Sequence, residues 1–188
     1  MKTRDLAYVA LFAALTAVLG LLPAIPVSAL PVPITAQTLG VMLAGAVLGA
    51  KRGFLALLLF LVLVAVGLPV LAGGRGGLSV FVGPSAGFLY SWPLGALVTG
   101  LLVELLWRRL NLVTALVATV VGGIGVVYAV GIPFISLYSD APLSAAATGS
   151  LVFVPGDLVK AVIAAVLAVA VRRAYPVIER PRQEATRP

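Results

Sequence analysis

The sequence predicts an all-α integral membrane protein, six spanning helices in one compact bundle, and three observations carry that prediction. Hydrophobic residues make up 62% of the 188 and charged residues only 10%, whereas a soluble domain has about half and a quarter. The mean hydropathy is +1.18. Apolar runs recur six times, at about 6–22, 35–50, 53–69, 86–107, 111–132 and 155–172, and eleven of the thirteen Lys and Arg fall at alternate ends of those runs.

The first run follows Lys2 and Arg4, the arrangement of a secretory signal. Five further runs come after it, so it reads as a retained helix. The second and third runs are shorter than the roughly 20 residues that cross a hydrocarbon core of about 30 Å. They are expected to be thin, irregular or extended at their ends. Lys51 and Arg52 join runs two and three, Arg108 and Arg109 join four and five, and Arg172, Arg173, Arg180, Arg182 and Arg187 follow the sixth. By the positive-inside rule both termini and these two turns are cytoplasmic, which requires an even number of spans in the cytoplasmic membrane. The net charge of +7 is then an orientation signal, aided by anionic headgroups, and not a nucleic-acid footprint. Residues 1–188 leave no room for a second domain, and 176–188 read as a disordered cytoplasmic tail.

The three outward connections are long and rich in Pro and Gly. They are LPAIPVSALPVP, GLPVLAGGRGGLSVFVGPSAG and PFISLYSDAPLSAAATGS. Tight inner turns beside elaborate outer loops point to a ligand handled at the outer face, although loops collect Pro and Gly in any bundle.

Several chemistries are excluded. The chain has no Cys and no His, which removes disulfides, thiol catalysis and the usual zinc and proton-shuttle sites. No GxxxxGK[ST] phosphate loop occurs, so the chain is not expected to be an enzyme, to bind a metal or to carry a cofactor. An intramembrane aspartyl dyad would need a second deep acid beside Asp157.

Two charges lie deep in the sixth run. With Arg172 at the inner interface, Lys160 is twelve residues away, about 18 Å along a helix. Asp157 is one turn further out, just after Pro155-Gly156, where the helix dipole favours an anion. Their i,i+3 spacing puts them on one face. They form either a self-contained ion pair or a ligand-facing pair, and intramembrane charges usually mark a ligand or ion path. Arg75 is the single basic residue in an outward loop, within GGRGG (Gly73, Gly74, Gly76, Gly77), where glycine lets backbone amides approach a ligand. Gln37 adds a neutral donor and acceptor at the outer start of the second run. Tyr90 and Trp92 offer either a flat wall for a ligand or interfacial anchors. Glu104, beside Trp107-Arg108-Arg109, is expected to be paired or solvated at the inner face. Ala10/Ala14 and Ala13/Ala17 form small-xxx-small pairs, which let another helix approach within the bundle or from a second protein.

The segments PVPITAQTLGVMLAG, LVLVAVGLPVLAGGRGGLSVFVGPSAGF and VPGDLVKAVIAA resemble the BioY family, the biotin-binding S components of energy-coupling-factor (ECF) vitamin transporters. The resemblance spans nearly the whole chain. It implies an S-component-like bundle holding biotin near its outer face under the extracellular loops. The partners it implies are a transmembrane coupling protein and two ATPase subunits. It carries biotin-ligand roles onto Asp157 and Lys160; Arg75, Gln37, Tyr90, Gly73, Gly74 and Gly77 are the further ligand candidates that the residues themselves suggest. Docking of the coupling protein is carried onto Ala10, Ala13, Ala14 and Ala17. An S component for another small vitamin and a solitary secondary transporter are the alternatives; the latter would show ion-coupling ligands or inverted repeats.

Overall fold

A computed structural model describes residues 1–27, 32–175 and 177–178. Its long helices are α1 (Thr3–Leu19), α2 (Gln37–Leu48), α3 (Ala50–Ala65), α4 (Ala86–Leu105), α5 (Leu112–Tyr138) and α6 (Leu143–Ala174). A π-helical turn at Val121–Val126 interrupts α5, and a 3₁₀ turn at Leu151–Phe153 interrupts α6. By length and composition α4, α5 and α6 are able to cross a membrane.

The shortest helix is the centre of the bundle. α2 has twelve residues, of which only Thr38 and Leu39 are not buried, and it packs against all five other helices. Its rise of about 18 Å falls short of a hydrocarbon core. Other helices surround it, so its length need not match lipid. The sequence of α2, QTLGVMLAGAVL, is apolar on every side, as a fully buried helix requires.

α2 and α3 are separated by Gly49 alone, at φ 85°, a left-handed conformation that glycine adopts without strain. The Glu104 carboxylate accepts the Ala50 backbone N–H at 2.8 Å, capping α3 where four N–H groups otherwise lack partners. Glu104 thus serves as a helix cap. In α5, a Cβ on Gly122 would lie 2.5 Å from the Thr99 backbone nitrogen and 2.6 Å from the Gly95 oxygen. Only glycine allows α5 to lie this close to α4 there.

The basic turns gather at one end. Arg52 pairs with Asp5 at 3.4 Å and donates to the Val177 carbonyl at 3.0 Å. Arg172 donates to the Leu110 carbonyl and lies 5.2 Å from the Trp107 ring centroid. These contacts join the start of α1, the α2–α3 turn, the α4–α5 turn and the segment after α6.

Two expectations change here. PFISLYSDAPLSAAATGS is not a long loop: α5 runs to Tyr138 and α6 begins at Leu143, leaving a four-residue turn with Asp140 at φ 48°. Pro133 lies inside α5 instead of ending it, and the Ala-rich AAATGS stretch follows its helix propensity. Within the expected tail, Val177 and Ile178 are buried, each 8% exposed; Pro176 and residues 179–188 lie outside the described residues.

Candidate ligand-binding site

A cavity opens at the end opposite the basic turns, where α2, α4 and the straight part of α6 begin. α4 presents Phe88, Leu89 and Trp92 to it, with Ser85 just before the helix. α6 presents Phe153, Asp157 and Lys160, and α5 presents Val127 and Tyr128. Spacings of three and four residues put the α4 set and the α6 set each on one helix face. The loop before α2 contributes Val32 to Thr35, and the α3–α4 connection contributes Leu71 and Arg75. Phe88 stands edge-on to both Tyr128 and Phe153, at 6.2 and 6.1 Å, a preferred aromatic geometry.

Asp157 and Lys160 are paired at 2.8 Å, with side-chain exposures of 6% and 14%. Asp157 Oδ1 also accepts from the Thr38 hydroxyl at 3.0 Å, and Oδ2 accepts from the Tyr128 hydroxyl at 2.6 Å. Lys160 Nζ donates additionally to the Thr35 carbonyl at 2.6 Å and to Thr38 Oγ1 at 2.9 Å. All three ammonium hydrogens are thus engaged, while a carboxylate with about four acceptor positions keeps one, on Oδ2. The pair is neutral as a unit and stitches α6 to α2 and α5.

Arg75 differs. Its Nε donates to the Ala72 carbonyl at 3.2 Å and one terminal nitrogen to Ser85 Oγ at 3.4 Å, and no carboxylate pairs with it among the described residues. Two of the five guanidinium N–H groups are engaged, which leaves three available. The cavity therefore carries one uncompensated positive charge.

The remaining sequence-derived residues divide. Gln37 lines the cavity but both its amide hydrogens are committed, to the Thr16 and Val70 carbonyls, and its oxygen accepts the Ala72 N–H. It clips the Arg75 loop to the bundle from its place on the cavity wall. Tyr90 is outside the cavity: it is 47% exposed and its hydroxyl donates to the Phe81 carbonyl at 2.6 Å. Gly73, Gly74 and Gly77 are also outside it. Each has φ between 68° and 84° and open space where a Cβ would be, so they shape the turn that carries Arg75 instead of approaching a ligand. On α1, Ala10 and Ala14 are exposed and Ala17 is half-buried, while Ala13 is 1% exposed. Ala13 packs in the core and is not available to a partner.

Thr38, Ser85, Phe88, Tyr128 and Phe153 were not singled out from the sequence. Thr38 follows Gln37 in AQT, and Phe153 precedes Asp157 by one turn, so helical spacing was a usable signal for both. Tyr128 carried a fainter one, a hydroxyl in an apolar run that needs a partner. Trp92, read together with Tyr90, is the member of that pair that faces the cavity, 5% exposed.

Apolar helices around an internal, charge-lined cavity define a multi-pass membrane protein with a polar site at one end of its bundle. Residues 1–177 match the family described as the BioY family. The chain is 51% identical over 183 residues to a biotin transporter BioY of Rhizobium etli, covering 95% of this chain and 98% of that relative. It is 52% identical over 174 residues to a biotin transporter BioY of Rhodobacter capsulatus, covering 88% and 91%. A solved structure, the S-component for biotin from an ECF-type ABC transporter, superposes with a TM-score of 0.87 at 36% identity, over 92% of this chain and 95% of that one. The chain belongs to the BioY family.

Proposed function

We propose that this chain is a biotin-capturing S component. It takes biotin at the outer face of the cytoplasmic membrane and delivers it inward with an ECF coupling protein and two ATPase subunits. The names carried by its relatives and by the superposing structure support biotin as ligand and an ECF-type assembly. The observation that carries the assignment to this cavity is its charge: Asp157 and Lys160 cancel, and Arg75 is left over.

Biotin is a monoanion, with a carboxylate at one end and a ureido ring at the other. Arg75, with free N–H groups and Ser85 beside it, suits the carboxylate; charge-assisted hydrogen bonds away from water are the strong ones. The ureido end suits the Asp157–Lys160 cluster, where Oδ2 accepts a ureido N–H. Phe88, Leu89, Val127 and Phe153 give the bicyclic ring and its chain an apolar lining. In this reading all six helices span the membrane, the basic end is cytoplasmic, and the Pro- and Gly-rich segments before α2 and before α4 are extracellular. The exposed small residues Ala10 and Ala14, with Ala17, form the face that the coupling protein approaches.

Mass spectrometry of ligand extracted from the purified protein, followed by a biotin titration, tests the reading. Biotin in the extract and saturable binding are expected. A different vitamin in the extract, or no binding on titration, would overturn it. Uptake that persists without the ATPases and collapses with the proton gradient would favour a solitary secondary transporter.

A further inference from the structure

The hydrogen bonds of the cavity leave two neutral donors without an acceptor among the described residues, the Ser85 hydroxyl beside Arg75 and the indole N–H of Trp92, and only the second lies away from the free cation. Lys160 has all three hydrogens engaged, and the Thr38 and Tyr128 hydroxyls both donate to Asp157. Arg75 has free N–H groups, but its charge matches an anion. Trp92 Nε1–H is buried and meets no acceptor among the described residues. An indole has only that one polar atom, a donor fixed in the ring plane. Phe60 packs against the ring at 5.9 Å, which holds the indole in place.

A second buried polar atom lacks a partner, Thr99 Oγ1, and the contrast is informative. Thr99 is not on the cavity wall; its side chain lies where α4 meets Gly45 of α2 and Gly122 of α5. A hydroxyl can also rotate toward a carbonyl of its own helix. The indole has no such freedom. On α4, Trp92 lies seven residues from Ser85, about 10 Å along the axis at 1.5 Å per residue, on the same face. It is therefore well inside the bundle from the Arg75–Ser85 contact, which takes the carboxylate in the proposed function.

We propose that Trp92 is a specificity-determining residue: its indole N–H donates to the ureido oxygen of the ligand. This rests on the biotin reading of the cavity. A site built to bond a particular ligand atom rejects analogues that lack it, because its own buried group is then left unpaired. The ureido oxygen is a neutral acceptor, and the donors nearer the charged pair are already engaged. Arg75 thus reads the charge of the ligand and Trp92 reads its ring oxygen.

The test compares biotin with 2-iminobiotin at neutral pH, where its protonated cyclic guanidine offers only donors in place of the ureido oxygen, on the detergent-purified full chain and on Trp92→Phe. The substitution keeps an aromatic wall and removes the N–H. Biotin affinity should fall about tenfold, the size of one hydrogen bond. 2-Iminobiotin affinity should stay as it was, so discrimination between the two falls by the same factor. An equal loss for both ligands, or no loss for either, would overturn the assignment while leaving the biotin reading standing. A parent protein that does not bind biotin would overturn both. The chain has only two tryptophans, so indole ¹⁵N–¹H spectra of the parent give a readout that needs no variant to fold. Biotin should shift the Trp92 proton downfield and leave that of Trp107 in place; an unmoved Trp92 proton would also overturn the assignment.

Discussion

The two ends of the bundle both concentrate charge, and they handle it differently. At the basic end the long-range contacts of Asp5, Arg52, Glu104 and Arg172 tie one turn or chain end to another. Two of them satisfy backbone carbonyls and one caps a helix. At the cavity end Asp157 and Lys160 also tie helices together, and buried hydrogen-bonding capacity remains beside them. One acceptor position on Asp157, three N–H groups on Arg75, the Ser85 hydroxyl hydrogen and the indole N–H of Trp92 have no partner among the described residues. No buried polar side-chain atom at the basic end lacks a partner among the described residues, whereas at the cavity end the buried indole N–H of Trp92 does, and that difference marks a ligand.

The largest effects should come from breaking the deep pair. Asp157→Ala strands Lys160 among apolar groups, so it should cost about 3–5 kcal/mol of stability and abolish measurable biotin binding. Asp157→Leu combined with Lys160→Met removes both charges. The double variant should recover most of the melting temperature and still fail to bind. A double variant that binds biotin as the parent does would show that the pair serves the fold alone.

Tyr128→Phe removes one of three donors to Asp157 and leaves the ring that Phe88 packs against. Biotin affinity should fall about tenfold by titration, the value of one hydrogen bond to a charged group, with a small change in the ligand-free melt. An unchanged titration would separate Tyr128 from the site. At the basic end Glu104→Ala removes the cap on α3, which should cost about 1 kcal/mol. The dissociation constant for biotin should not move. A shift in affinity there would mean that the two ends are coupled.

Legibility in the sequence followed the same division. The Asp157–Lys160 pair was readable because two charges on one helix face in lipid have few explanations. Arg75 was readable because it is the single cation among glycines in an outward connection. The short third connection was not, since Pro133 looks like a breaker, yet α5 runs through it to Tyr138 and leaves only SDAP as the turn. Nor was the exchange of roles between Tyr90 and Trp92, two residues apart on one helix: about 100° per residue separates their directions, and only the packing of α4 says which points inward. Gln37 was recognised as a neutral donor and acceptor, but its three partners come from α1 and the loop before α4, which no local pattern reveals. The core position of Ala13 and the exposure of Ala14 were equally hidden, because the two small-xxx-small pairs are indistinguishable by spacing.

The central claim is that the uncompensated cation at the cavity end reads the charge of the ligand. Titration calorimetry of biotin and of its uncharged carboxamide, on the parent and on Arg75→Gln, tests it most directly. The account predicts that Arg75→Gln weakens biotin about ten- to a hundredfold, equivalent to about 1.5–3 kcal/mol, and leaves the carboxamide nearly unaffected. Equal losses for the two ligands, or none for biotin, would contradict it.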